Sequence, residues 1–215
     1  MSDFMEKIQS GRQYRDMMIE ARVGDPEKDK EKCYVRGYAT TFNQPYVLYY
    51  DNEMEIREQV SDKAFDECDM SDVIMQYDHK GRVFARISNK TLSLTADEKG
   101  LLIDADLSGT EIGRQLFEEI KGGYTTKMSF GFTVDDDIVE EYTEGEKRIY
   151  LRTITKIGKL YDVSAVSLPA NDATEISARA FCDGVIAKAE AERLLKAENE
   201  RKRKALELRL RLLEV

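Results

Sequence analysis

The 215-residue chain has one histidine, three cysteines, three prolines and no tryptophan. With His79 alone, chemistry that needs two imidazoles from one chain is excluded, and most His-rich metal sites with it. Cys33, Cys68 and Cys182 lie far apart and form no Cys-x-x-Cys pair, so neither a disulfide framework nor a thiolate zinc site has its raw material. No apolar run approaches the length of a membrane span, and the opening Met-Ser-Asp-Phe-Met-Glu-Lys has no secretory hydrophobic core. A soluble intracellular protein with no membrane partner is expected. A basic excess is missing too: the net charge is -9, and binding a phosphate backbone needs clustered cations that release its counterions. Nucleic acid is therefore not expected as the main ligand. The acidic runs Asp135-Asp136-Asp137 and Glu140-Glu141 lack the spaced Asp/Asn and Gly pattern of a calcium loop and read as a solvated hairpin or loop, so no metal or cofactor is expected.

What is present supports one core with chain attached at both ends, given 41% hydrophobic residues in this length. Residues 1–32 are polar apart from Met17-Met18-Ile19, break at Gly24-Asp25-Pro26 and read as an extension that ends in a first strand. From Cys33 onward, short β-branched and aromatic segments alternate in polarity: 34–42, 73–77, 83–87, 91–95 and 101–107. One helix interrupts them, capped by Ser108 or Thr110, striped with Ile112, Leu116, Phe117 and Ile120, and stopped by Gly122-Gly123. Strands resume at 125–134, pause at Asp135–Asp137 and at the loop 143–146, then return at 148–157 and 160–168. The pattern predicts a mainly β protein with helices (α+β), built on a closed or nearly closed β-barrel. Beyond Asp183-Gly184 the sequence is Glu, Lys, Arg, Leu and Ala without Gly, Pro or aromatic residues, a charged helix over 184–215. Its seam through Ala187, Ala191, Leu194, Ala205, Leu208 and Leu212 is broken by Glu198 and Arg201, which leaves both a solvated tail and a partner-binding helix open.

Three side chains could do chemistry together. A neutral imidazole must take a serine's proton for that hydroxyl to attack a carbonyl, an unperturbed imidazole pKa of about 6.5 suits the task, and His79 stands at the end of an apolar strand. Ser129 stands in Lys127-Met-Ser-Phe-Gly-Phe132, with Lys127 where a nucleophile elbow has its first glycine, so an α/β-hydrolase is rejected. A third group must hold the imidazole tautomer, and with no second histidine a carboxylate is the candidate. Asp162 enters an otherwise apolar strand; Asp78 is a weaker choice, because neighbouring side chains of extended chain point apart. Lys127, on the same strand face as Ser129, keeps a Ser-Lys dyad open. Arg82 and Arg86, near the base in sequence, read as solvated or scaffold-binding.

The ordered set Arg36-Gly-Tyr-Ala-Thr-Thr-Phe42, Asp78-His79 with Gly81-Arg82-Val83 and Ala85-Arg86, Lys99-Gly-Leu, Ala105-Asp-Leu107, Lys127-Met-Ser-Phe-Gly-Phe132 and Leu160-Tyr-Asp-Val-Ser-Ala-Val-Ser-Leu-Pro-Ala170 resembles the prohead proteases of tailed bacteriophages. These serine peptidases are similar in fold to the herpesvirus assemblins. The resemblance implies an assemblin-like barrel over 33–182 with Ser129 as nucleophile and His79 as base; the viral relatives have a second histidine as third member, which this chain cannot supply, and Asp162 is the choice for that role. It implies cleavage of the major capsid protein's scaffolding segment, or of a separate scaffold protein, inside the procapsid in the host cytoplasm. Self-processing and self-association are expected with it, residues 1–32 and the tail 183–215 being the natural cleavage targets. An inactive assembly protein with the same barrel is the alternative.

Overall fold

A computed structural model describes residues 13–17, 22–23, 33–167 and 176–213 of the chain, which divides into two units, residues 1–177 and 178–215. In the first unit a four-stranded antiparallel sheet has the order β2-β3-β9-β8, formed by β2 (Arg22–Val23), β3 (Tyr34–Thr41), β8 (Leu92–Ala96) and β9 (Gly100–Asp106). Its alternation is that of a half-buried sheet: Val35, Ala39, Leu101, Ile103 and Ala105 face inward while Arg36 is exposed and pairs with Asp104 across the strands.

The second sheet has seven strands and follows the path β1 (Gln13–Met17), β10 (Lys127–Glu144), β11 (Lys147–Val166), β5 (Met54–Val60) and β4 (Tyr46–Tyr50). A hairpin of β6 (Ile74–Tyr77) and β7 (Lys80–Arg86) branches from it, since β11 pairs in parallel with β5 over Arg148–Ile154 and with β6 over Asp162–Ala165. Long strands make this sharing possible: one half of β11 serves each neighbour. Fully buried Phe130 and Phe132 stack at 4.5 Å on the core side of β10, and Phe65 lies 6.4 Å from Phe130. Each such ring contributes about 1.5–3 kcal/mol of burial and holds β10 against the rest of the core.

Helix α1 (Glu111–Lys121) packs Leu116, Phe117 and Ile120 into this core. Thr110 is its cap, its hydroxyl accepting from Gly113 N–H at 3.0 Å, whereas Ser108 donates to Asp106 instead. Gly113 is required by close approach, because a Cβ there would stand 2.3 Å from the Leu107 carbonyl oxygen. Helix α2 (Ile176–Leu213) forms the second unit, with its N-terminus well before the expected start at 184. Among its described side chains Cys182 and Ala189 are buried and Val185, Ile186 and Glu192 half-buried; Ala187, Ala191 and Leu194 of the expected seam are exposed.

Mainly β with two helices is the observed class. Closure into a barrel is not shown: among the described residues neither sheet closes on itself, and a single parallel bridge, Phe42 to Val60, links the end of β3 to the end of β5. The expected pause at Asp135–Asp137 is not a loop, because β10 runs through it on a series of register shifts between Thr133 and Asp137. Asp135 leans over Gly158 on β11, where a Cβ would meet its Oδ1 at 2.2 Å. The loop at 143–146 shrinks to a two-residue turn at Gly145-Glu146, and the two strands expected after it run together as β11, Lys147–Val166. β4 and β5 were not expected at all. Met54, Ile56 and Val60 alternate inward as a strand should, but the fourth inward position is Glu58, fully buried. Its carboxylate is held by Arg152 Nη1 at 3.0 Å and by the Tyr46 hydroxyl, an ion pair across the sheet that polarity reading hides.

Candidate active site

The segment Met128–Phe132 of β10 alternates between two environments. Met128, Phe130 and Phe132 enter the core, and Ser129 and Gly131 face the other way. On β11 the residues in register with them are Ser164 and Asp162, so Ser129, Ser164 and Asp162 share that face, and Gly131 adds no side chain opposite Asp162. One strand further, Gln76 of β6 is in register with Ser164.

His79 reaches this row from the turn between β6 and β7. Tyr77 pairs with Lys80, leaving Asp78 and His79 as a two-residue connection with φ of 48° and 56°, the positive pair that a type I′ turn demands. Neither residue is a glycine, and each left-handed position costs on the order of 1 kcal/mol. The turn is held by what surrounds it. Asp78 N–H donates to the Ala165 carbonyl at 3.0 Å, and the Asp78 carboxylate accepts from the Ser167 N–H at 2.9 Å and from its hydroxyl. Gln76 Nε2 donates to the Gly81 carbonyl at 3.4 Å. Asp78 thus ties the turn to the end of β11 and points away from the imidazole.

The consequence is a relay. His79 Nδ1 lies 2.6 Å from Asp162 Oδ1, and His79 Nε2 lies 2.5 Å from Ser129 Oγ, across 50 residues of sequence. A carboxylate can only accept, so the proton sits on Nδ1 and Nε2 is left to accept from the serine hydroxyl. Asp162 is buried, its side chain 2% exposed, and Ser164 Oγ donates to the same Oδ1 at 2.8 Å. Ser129 is fully buried and His79 13% exposed at its side chain, so the charges that proton transfer creates arise in a largely water-excluded place.

All three side chains singled out from the sequence meet here. Lys127 stands on the same face as Ser129, yet makes no hydrogen bond to it. Arg86 is engaged elsewhere, with Nε and Nη2 on the Asp72 carboxylate at 2.6–3.0 Å. Two positions escaped sequence reading. Ser164 had a signal, since Asp-x-Ser in a strand puts both side chains on one face; the anchoring role of Asp78 needed the turn geometry. The segment Leu168-Pro-Ala170 lies outside the described residues. Among the described residues no group of His, Cys, Asp and Glu is clustered as a metal site, and no helix is long and apolar enough to cross a membrane.

A hydroxyl, an imidazole and a carboxylate in one hydrogen-bonded line, mounted on β-strands and a turn, are the equipment of the serine hydrolases that work without a nucleophile elbow. The family model of the caudovirus prohead serine proteases matches residues 19–185, and the chain belongs to that family. Membership makes it a serine peptidase of capsid maturation that deals with capsid components. No curated protein and no solved structure matches it.

Proposed function

We propose that the chain is an endopeptidase in which Ser129 is the nucleophile, His79 the general base and Asp162 the group that orients and stabilises the imidazole. The observation that carries this reading is the pair of short contacts at the two ring nitrogens, 2.5 Å to Ser129 Oγ and 2.6 Å to Asp162 Oδ1. His79 Nε2 takes the hydroxyl proton as Oγ attacks the scissile carbonyl. The imidazolium then gives that proton to the leaving amine, and water repeats the cycle on the acyl-enzyme. Asp162 remains ionised throughout and lowers the energy of the imidazolium beside it.

Its substrates are the scaffolding segment of the major capsid protein, or a separate scaffold protein, inside the procapsid, and its own ends. Residues 33–182 carry the catalysis, and the charged helix of 183–215 docks the enzyme during shell assembly. Co-expression with the cognate capsid protein tests the reading. Wild type should cleave it, whereas Ser129→Ala and His79→Ala should leave shells assembled and uncleaved. Normal cleavage in both variants would remove the proposal, and a wild type that resists a serine-reactive fluorophosphonate would favour a non-catalytic assembly protein.

A further inference from the structure

Strand β10 runs from Lys127 to Glu144, but β1 lies against only its first part, Met128 to Phe132. Beyond that, residues 133–144 pair with β11 on one side, and on the other side no strand meets them among the described residues. Along that edge every second residue or so turns a backbone N–H and C=O to solvent. The side chains above and below it are of two kinds. Ile138, Val139 and Tyr142 are exposed apolar groups. Asp135–Asp137, Glu140, Glu141 and Glu144 supply negative charge, and no lysine or arginine occurs from 133 to 144.

Open edges are usually made short, given lysines or covered, because an exposed strand recruits another chain. This one is long and carries apolar side chains on both faces, Ile138 and Tyr142 on one and Val139 on the other. Its acids exclude one partner: a second copy laid edge to edge would set carboxylates against carboxylates. The strand that β10 already pairs with shows what fits. On β11, Lys147 stands in register with Glu144, Arg148 binds the Glu141 carboxylate and Arg152 binds that of Asp137, with Ile149, Tyr150 and Leu151 between them. Glu140, between Ile138 and Tyr142 on their face, has no ion pair among the described residues.

We propose that the free edge of β10 over 133–144 is a docking site where another protein adds an extended segment as a further strand, and that this segment intersperses lysine or arginine with apolar residues. Main-chain hydrogen bonds hold the segment, its apolar side chains pack on Ile138 and Tyr142, and cations beside Glu140 select it over acidic competitors. Ile138 lies about 30 Å along the strand from Ser129. Docking therefore leaves the Ser129–His79–Asp162 line untouched, and the site stands whether or not the chain cleaves what it holds.

The test uses the full chain bearing Ser129→Ala, so that cleavage does not enter, and a fluorescent peptide complementary to 137–144 in antiparallel register, Lys-Thr-Val-Lys-Lys-Val-Val-Lys, followed by anisotropy. Its controls are the same peptide with Glu in place of Lys, and two forms N-methylated at alternate residues, one in each frame. The lysine peptide should bind, and the glutamate peptide should bind more than about tenfold less tightly. One N-methylated form should lose binding, because its blocked amides face β10. Glu140→Lys should weaken the lysine peptide about fivefold at low salt, and Ile138→Thr about threefold, with thermal melting unchanged at these exposed positions. Amide exchange within 133–144 should slow on binding. A lysine peptide that does not bind overturns the proposal. So does binding that survives both N-methylated frames, which would leave charge alone, or an affinity indifferent to Glu140→Lys and Ile138→Thr, or slowed exchange only outside 133–144. Self-association of the free chain that protects 133–144 would make the occupant a second copy and overturn it as well.

Discussion

Replacing Asp162 by Asn isolates one quantity, the interaction of a carboxylate with the imidazolium that forms during catalysis. The amide keeps the shape, and its oxygen can still accept from His79 Nδ1 and Ser164 Oγ, now 2.6 and 2.8 Å from Asp162 Oδ1. What disappears is the charge. Unit charges about 4 Å apart interact by about 4 kcal/mol at the effective dielectric suited to protein sites. The hydrogen bond to neutral imidazole exists before reaction and does not count, because only what strengthens in the transition state accelerates it. Allowing for the 13% exposure of His79 and incomplete charge development, about 3–4 kcal/mol is at stake, or roughly two to three powers of ten in kcat. Ester hydrolysis by wild type, Asp162→Asn and Ser129→Ala measures it, with thermal melting as control for folding. A kcat for Asp162→Asn within about fivefold of wild type would refute the reasoning, since the carboxylate would then only fill space.

Ser164→Ala removes a buried donor to that carboxylate and should lower kcat about tenfold with KM unchanged; Ser164→Thr should restore most of the activity, and a Ser164→Ala kcat within about twofold of wild type would make Ser164 packing alone. Ser129 is fully buried and β1 pairs with β10 in a register that sets Asp16 opposite Ser129, so removal of residues 1–17 should speed fluorophosphonate labelling; an unchanged rate would place the cover elsewhere. Glu58→Ala takes from the buried Arg152 one of its two carboxylate partners, Asp137 remaining, and should cost about 2 kcal/mol in chemical denaturation, whereas Glu67→Ala, at an exposed pair with Lys156, should cost under about 1 kcal/mol; equal losses would contradict the burial argument. The Arg86 guanidinium beside Asp72 holds its carboxyl down to about 2, so its contribution to stability stands above the ordinary carboxylate range and fades as pH falls toward 2. Arg86→Ala should flatten stability against pH over that acid interval, as read by denaturant titration at each pH.

The candidate site residues, which the fold brings together, were legible because each violated its surroundings. His79 is the sole imidazole, Asp162 is a charge entering an apolar strand, and Ser129 needed a base. Most strands followed from alternation, and α1 from its stripe and stop. The rest fails for identifiable reasons. Glu58 occupies an inward position and conceals β5, because its compensating cation, Arg152, is 94 residues away. The acidic run at 135–137 looked like a loop, yet a bulged strand next to a glycine partner accommodates the Asp135 side chain without breaking. Barrel closure is a property of strand pairing at long range, and no local pattern encodes it; two sheets that do not close satisfy the same alternations. Branching is equally invisible: nothing in the 147–166 sequence says that its two halves pair with different strands.

That branching is what makes the relay possible. A serine in mid-strand has its neighbours fixed by ladder register, so a base must arrive from an adjacent strand's end and at the right height. Parallel pairing of β6 with Asp162–Ala165 puts the end of β6 just beyond the Ser164 row, and the tight turn after Tyr77 returns the chain within two residues. A longer loop would let the imidazole sample many positions; this turn, bound to β11 through Asp78, allows few. The left-handed strain at Asp78 and His79 is therefore the cost of an imidazole held still, and the anchor to Ser167 and Ala165 offsets it. In the proposed mechanism preorganisation of this kind matters most, because a nucleophile fixed in a β-strand, as Ser129 is, cannot move to meet its base.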